Sequence, residues 1–241
     1  MKMNIGKIYP IDLNERTAYI AGVIVGDGHI SHATKSKQDK SPDYKITIEV
    51  IDLEFLNIVA SLIKTIINTK SIIKERRPRN GKQQGYYFQF RNKSFYHFLT
   101  NDLGIPSGKK CFSVDIPTKI LSSPSLQHHF LAGLFDTDGG VRGKTVGFTS
   151  ASKKLILDTS RILDDWNILH HTESWKNKRY NTFYYGIRIK AKDNDKFLNG
   201  LPLRNNEKLK KVFRHADVLE RSNGMVNSLV KTKNQSKLRP L

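Results

Sequence analysis

Two stretches of this chain are near copies of one another. "IAGVIVGDGHI" runs from Ile20 to Ile30, and "LAGLFDTDGGV" runs from Leu131 to Val141. At an offset of 111, Ala21 and Gly22 meet Ala132 and Gly133, and Asp27 and Gly28 meet Asp138 and Gly139. The match predicts two apolar helices, each ending in Asp-Gly. Such a helix is too apolar for a surface position, so each copy needs a buried partner. Gly22 and Gly26 lie four apart and share one helix face, as do Gly133 and Thr137. A mid-helix glycine costs about 1 kcal/mol, which close backbone packing offsets. The two copies are therefore expected to pack on each other and to bring Asp27 and Asp138 together at one end.

The repeat continues past these stretches with a drifting offset. "ITIEVIDLEFL" (46–56) lies against "VGFTSASKKLI" (146–156), and "YYFQFRNKSFYHFL" (86–99) against "YGIRIKAKDNDKFL" (185–198). "LGIPSGKK" (103–110) lies against "LPLRNNEK" (201–208). A polar loop near residues 29–43 accounts for most of the drift. Each unit reads as helix, strand pair, helix, strand pair, helix. In the first, a helix is expected over 53–67 after an Asp52 cap, then a hairpin over 71–91 turning at Asn80-Gly81. In the second, a Ser152-capped helix near 153–166 precedes a hairpin over 172–190. Pro124 suits a first helical position after a Ser123 cap. The fold class is α+β, with repeats at 12–112 and 124–220, a linker at 113–123 and a polar tail at 221–241.

Two adjacent carboxylates repel, and one would hold a proton unless a cation sat between them. Carboxylates with backbone carbonyls and waters suit Mg²⁺, so Asp27, Asp138 and the carbonyls of Gly26 and Thr137 are candidate metal ligands. The plain alternative is a helix C-terminal turn at each Asp-Gly, with glycine supplying a positive φ. Two copies on a chain with 41 Lys and Arg against 22 Asp and Glu, a net charge of +19, favour the metal reading. That charge points to a polyanion partner, either nucleic acid or an anionic membrane. The single cysteine, Cys111, rules out an intramolecular disulfide and reads as a packed thiol. The eight histidines have no zinc-site spacing. Without an 18-residue apolar run or a signal pattern, an intracellular protein is expected, in cytoplasm or organelle. The ends of the chain lack the residues of a self-splicing element.

The paired stretches resemble the signature of the LAGLIDADG homing endonucleases, in the single-chain, two-repeat form. The resemblance spans about Asp12 to Leu219 and includes "IPSGKK" (105–110). Val25 departs from the pattern, which has an acid there. The resemblance implies two αββαββα repeats about a pseudo-twofold axis, with saddle-shaped antiparallel sheets on double-stranded DNA. It further implies a monomer, encoded in an intron, that cuts both strands of a long asymmetric target and leaves short 3′ overhangs. The expected cofactor is Mg²⁺, as two or more ions, with Mn²⁺ as a substitute. Asp27 and Asp138 take the place of the family's catalytic acids. Lys110 and Lys208, paired by the repeat, match lysines that stabilise developing charge. Glu49, paired with Thr149, falls where the family holds attacking water. An intron RNA maturase, or a DNA-binding regulator that does not cut, is the alternative on the same fold.

The second hairpins are basic and laced with aromatics, as a major-groove ribbon requires. In repeat 1 the candidate DNA-binding residues are Lys74, Arg76, Arg77, Arg79, Lys82, Gln89, Arg91 and Lys93. In repeat 2 they are Lys176, Lys178, Arg179, Arg188, Lys190 and Lys192. Strand alternation is expected to put Arg188, Lys190 and Lys192 on one face, opposite Ile187 and Ile189.

Overall fold

The chain is described by a computed structural model covering residues 10–31, 43–78, 83–179 and 181–212. The Asn80-Gly81 turn, Arg79, Lys82 and the tail after Arg221 lie outside the described residues.

Helix α1 (Glu15–Asp27) starts at Asn14, whose side chain accepts from the Arg16 and Thr17 amides, while Thr17 Oγ1 accepts from the Asn14 amide. Strands β1 (Gly28–Ser31) and β2 (Lys45–Val50) follow, then α2 (Leu53–Ile67), β3 (Ile73–Arg76), β4 (Gly85–Arg91) and α3 (Lys93–His97), which widens into a π turn (Phe98–Asp102). The connector holds a one-turn helix, α4 (Thr118–Leu121), that the sequence pattern does not announce. The second unit repeats the order: α5 (Pro124–Asp138), β5 (Gly140–Arg142), β6 (Thr145–Ser150), α6 (Lys153–Asp165), β7 (His170–Asn177), β8 (Thr182–Ile189) and α7 (Asn194–Asn199). A last helix, α8, is described over 206–212.

The strands form two antiparallel four-stranded sheets with the same topology, β1-β2-β4-β3 and β5-β6-β8-β7. Helix caps set where each helix enters. Asp52 accepts from the Phe55 amide at 3.0 Å, and Ser152 from the Leu155 amide at 3.3 Å. Ser123 precedes α5 with Pro124 at the first position, but its side chain makes no capping bond. Pleating sends Ile46, Ile48, Phe88 and Phe90 into the core, with Phe148, Ile187 and Ile189 in the second sheet. The opposite sheet faces carry the polar residues.

Helix α1 is buried from Thr17 to Val25, mostly against α5. The two backbones touch at their glycines. A Cβ on Gly22 would stand 2.0 Å from the Phe130 carbonyl oxygen, and one on Gly133 would stand 2.1 Å from that of Tyr19. Neither neighbour is a side chain that could turn away. Gly28 and Gly139, which end the two helices, have φ of −88° and −67°, so no left-handed turn explains either Asp-Gly pair. They are small because Ile24 and Phe135, one turn back, crowd them.

Substitution of either interface glycine by alanine should cost about 3 kcal/mol or more, in the range of severe core disruption. Gly140→Ala, where the added carbon meets open space, should change stability by less than about 0.5 kcal/mol. Thermal and denaturant unfolding of the three variants tests this; equal effects would mean that the helices are not in backbone contact.

Candidate active site

Helices α1 and α5 end side by side, each in an aspartate. The next strand starts at once: β1 at Gly28 and β5 at Gly140. Asp27 and Asp138 therefore lie where the two sheets meet. At Gly26 a Cβ would fall 2.0 Å from Thr137 Oγ1 and 3.3 Å from Asp138 Oδ2, so the far helix end crowds this glycine.

Two ammonium groups reach into the same place. Lys110 Nζ donates to the carbonyls of Val25 at 2.5 Å and Gly26 at 3.4 Å. Lys208 Nζ donates to those of Thr137 at 2.6 Å and Phe135 at 3.1 Å. Each lysine thus holds carbonyls at the C-terminal end of its own repeat's helix, where a cation is favoured. Their neighbours differ: Lys109, Lys210 and Lys211 are exposed, whereas Lys110 is buried and Lys208 half-buried.

Burial governs the protonation of the cluster. It raises the Asp27 carboxyl above its ordinary range, against the pull of Lys208 and Lys110. It raises Asp138 to about 6, with Asp27 adding repulsion. The Asp138 side chain still reaches solvent, so water and salt moderate this shift. Burial lowers Lys110 to about 8 and lowers Lys208, both opposed by the nearby carboxylates.

Glu49 lines a hollow with Asp27, Thr137, Arg76, Arg77 and Gln83. It is ion-paired with Arg76. Its counterpart Thr149 stands opposite Gly186 in β8. Adjoining the hollow is a cleft of about 980 Å³ that shares Asp27, Val50 and Thr137 with it and is also lined by Asp136, Asn205 and Lys208.

The uncovered face of the first sheet presents Lys45, Thr47 and Glu49 from β2, Lys74 and Arg76 from β3, and Tyr87, Gln89 and Arg91 from β4. Half of them are engaged with one another, as Gln89 with Thr47 and Arg76 with Glu49. Gln89 donates to Thr47 at 3.0 Å, and Arg91 is paired with Asp43. Lys93 is not on the strand: Asn92 accepts from the Phe95 amide at 2.8 Å and starts α3 there. The second face differs. Arg188 is 8% exposed and donates to Glu173 at 3.0 Å. Lys190 and Lys192 do not continue its face, because β8 stops at Ile189. Asp193 Oδ2 accepts from the Leu169 amide at 2.6 Å, and the chain turns into a short 3₁₀ helix over Ala191–Asp193. Lys176 sits 6.0 Å over the Phe183 ring, and Lys178 and Arg179 are exposed at the hairpin tip. A stacked aromatic pair, exposed Trp175 and half-buried Tyr184, completes this face, with ring centroids 6.2 Å apart.

Three residues that the sequence reading did not single out form one hydrogen-bonded cluster, Tyr19, Asp136 and Asn205, and the last two line the cleft that Asp27 and Lys208 share. Cys111 is exposed, not packed as expected: it follows buried Lys110 in a surface turn. His128 stacks on Trp166 at 3.9 Å. Among the described residues, no group of three or more His, Cys, Asp or Glu is placed to hold a metal ion. No described helix is long and apolar enough to cross a membrane.

Duplicated sheets on a shared glycine-packed helix pair, with a carboxylate at each helix end, define a two-repeat architecture. The chain belongs to the LAGLIDADG-like domain family, which matches residues 14–102 and 125–201. Among solved structures, the homing endonuclease I-DmoI in complex with DNA and Ca has a TM-score of 0.62 at 22% identity, over 81% of this chain and 96% of its own. The homing endonuclease I-WcaI on its DNA recognition sequence has a TM-score of 0.58 at 18% identity, over 85% and 88%. Full-length DUF199/WhiA from Thermatoga maritima reaches 0.51 at 15% identity, over 93% and 70%. At such identities the likeness establishes the fold. Among curated proteins, a Methanocaldococcus jannaschii protein named Replication factor C small subunit is 29% identical over 84% of this chain. An uncharacterized protein of that organism is 27% identical over 72%. The chain spans 10% of the first relative and 64% of the second.

An acid whose folded pKa lies above its ordinary value stabilises the fold only while protonated. The contribution of Asp138 is therefore lost as pH rises from about 4 through about 6. In metal-free buffer at pH 7.5, Asp138→Asn should melt above the wild-type temperature, and this advantage should shrink as pH falls through about 6 and vanish below about 4. Addition of Mg²⁺ should raise the wild-type melting temperature more than that of the variant. Thermal scans with and without metal measure both; a variant less stable than wild type at pH 7.5 would contradict the repulsion.

Proposed function

We propose that the chain is a divalent-metal-dependent DNA endonuclease that acts as a monomer and cuts both strands of a long, asymmetric target. The observation that carries this reading is the duplicated pair Asp27–Lys110 and Asp138–Lys208 at the meeting point of two sheets. A duplex has two strands to cut, and each repeat supplies one carboxylate and one ammonium group. The resemblance to I-DmoI and I-WcaI, both solved with DNA, supports duplex DNA as the substrate. The forms of I-DmoI with Ca, Mn or Mg support a divalent ion.

The donor set fits such an ion. The two carboxylates are hard oxygen donors whose mutual repulsion a cation would relieve. With only two protein carboxylates in the cluster, water and substrate phosphates would complete the shell, as is usual for Mg²⁺. Asp27 and Asp138 would hold the ions. The carbonyl oxygens of Gly26 and Thr137 already accept from the lysines, so they are the weaker candidates. Bound there, divalent ions would supply charge neutralisation at the attacking and leaving oxygens. The chain's own groups do the rest. Lys110 and Lys208, partly desolvated beside the two carboxylates, stabilise negative charge that develops on a phosphoryl group. The Glu49–Arg76 pair, in the hollow beside Asp27, orients water by hydrogen bonding. Lys74, Arg77, Gln89, Arg91, Lys178 and Arg179 contact DNA backbone and base edges. Short 3′ overhangs follow if the two cuts straddle the minor groove.

The test is cleavage of a randomised duplex library in Mg²⁺ or Mn²⁺ by wild type, Asp27→Asn, Asp138→Asn and Lys110→Met. Discrete double-strand cuts by the wild type are expected. Either aspartate variant should abolish them, and Lys110→Met should slow cutting by about 10²–10³-fold, as for loss of one oxyanion donor. Tight duplex or intron RNA binding without cutting in either metal would instead identify a DNA-binding regulator or a maturase.

A further inference from the structure

The two active-site lysines are matched in position but not in how they are held. The Lys110 segment is tied by backbone contacts to β1: the Gly108 amide donates to the Ile30 carbonyl at 2.9 Å, and Ser107 Oγ donates to it at 3.3 Å. The Lys208 segment hangs on a buried carboxylate. Asp136, 2% exposed, accepts from the Tyr19 hydroxyl at 2.6 Å, the Arg204 amide at 2.7 Å and the Asn205 amide at 3.2 Å. Asn205 Nδ2 returns a bond to the Asp136 carbonyl at 3.0 Å. Asn205 is also the cap of α8, since its Oδ1 accepts from the Lys208 amide at 2.9 Å. The Arg204 guanidinium lies 5.1 Å over the Tyr19 ring. One continuous path thus runs from α1, through Asp136 on α5, to the cap of the helix that carries Lys208.

The first repeat has no equivalent. Asp136 corresponds to Val25, which is buried among apolar residues, and a valine can hold no backbone donor. A fully buried carboxylate costs several kcal/mol unless donors surround it. Three donors converge on this one, two of them backbone amides of a segment with little regular structure. The helix packing itself does not require the acid, because Val25 serves the same place in α1.

Building on the proposed nuclease activity, we propose that Asp136 is a positioning residue that sets Lys208, and through it the cutting of one DNA strand but not the other. Asp136 touches no reacting atom. It fixes where α8 begins, and Asn205 passes that on to Lys208. Removal of its charge leaves two amides and a phenol competing for one amide oxygen, and sets the unmatched NH₂ against a donor. Lys208 then loses its register on the α5 carbonyls while Lys110 keeps its own.

Strand-resolved single-turnover cleavage of a target selected by the wild type tests this with Asp136→Asn, Asn205→Ala, Lys208→Met and the Asp136→Asn/Lys208→Met double variant. Asp136→Asn should cut one strand at least 10-fold more slowly and the other within threefold of wild type, with unchanged DNA affinity in EDTA. Lys208→Met should slow the same strand, and the double variant should be no slower than Lys208→Met alone. Asn205→Ala, which keeps the buried carboxylate, should show the same strand bias if Asp136→Asn does not fold. Equal slowing of both strands, or additive losses in the double variant, would overturn the proposal. Amide hydrogen exchange provides a readout that needs no cleavage. In Asp136→Asn or Asn205→Ala, exchange should quicken over 203–212 and stay unchanged over 105–116; uniform change would overturn the positioning role even if the wild type cuts nothing.

Discussion

Contact between two helix backbones is the constraint on which this molecule rests. At Gly22 and Gly133 the distance from one helix to the carbonyls of the other leaves no room for a methyl group. That contact fixes how the repeats face each other, since α1 and α5 make the main junction between them. It also fixes where both helices end, and so where both sheets begin. The carboxylates of Asp27 and Asp138 are close together because the backbones above them touch.

The electrostatics follow from this geometry. Burial raises both carboxyls, and Asp27 raises Asp138 further. The same burial would expel Lys110 and Lys208 as ions were it not for the two carboxylates and the helix-end carbonyls they hold. The result is a cluster of two acids and two bases of balanced charge. Burial shifts the acids up and the bases down, toward one another, as expected where charge must be rearranged during reaction. The repeats then diverge around this common centre. The first sheet face carries Lys74, Arg76, Gln89 and Arg91. The second carries Trp175, Tyr184 and an Arg188 that Glu173 holds in place.

Much of this was visible in the order of residues. The duplicated glycine pattern gave the helix pair, and the drifting repeat alignment picked Lys110 and Lys208 out of several neighbouring lysines. The α2 and α6 caps at Asp52 and Ser152 were legible because capping is local. Pairings across strands were not. Glu49 with Arg76, Asp43 with Arg91 and Glu173 with Arg188 depend on hairpin register, which spacing alone does not set. Lys93, Lys190 and Lys192 were misplaced because Asn92 and Asp193 end their strands through side-chain bonds that outrank simple alternation. Asp136 left a trace, an acid within an apolar helix opposite Val25 in its twin. Its partners Tyr19 and Asn205 lie 117 and 69 residues away, and no local pattern joins them.

The central claim is that the helix pair forces two carboxylates from different repeats into one electrostatic site. Carboxyl ¹³C NMR titration of metal-free wild type and Asp27→Asn measures this directly. The account predicts that Asp138 titrates near 6 in the wild type and lower once Asp27 is neutral. An Asp138 midpoint near the ordinary carboxylate value of 3.8, unmoved by the loss of Asp27, would contradict it.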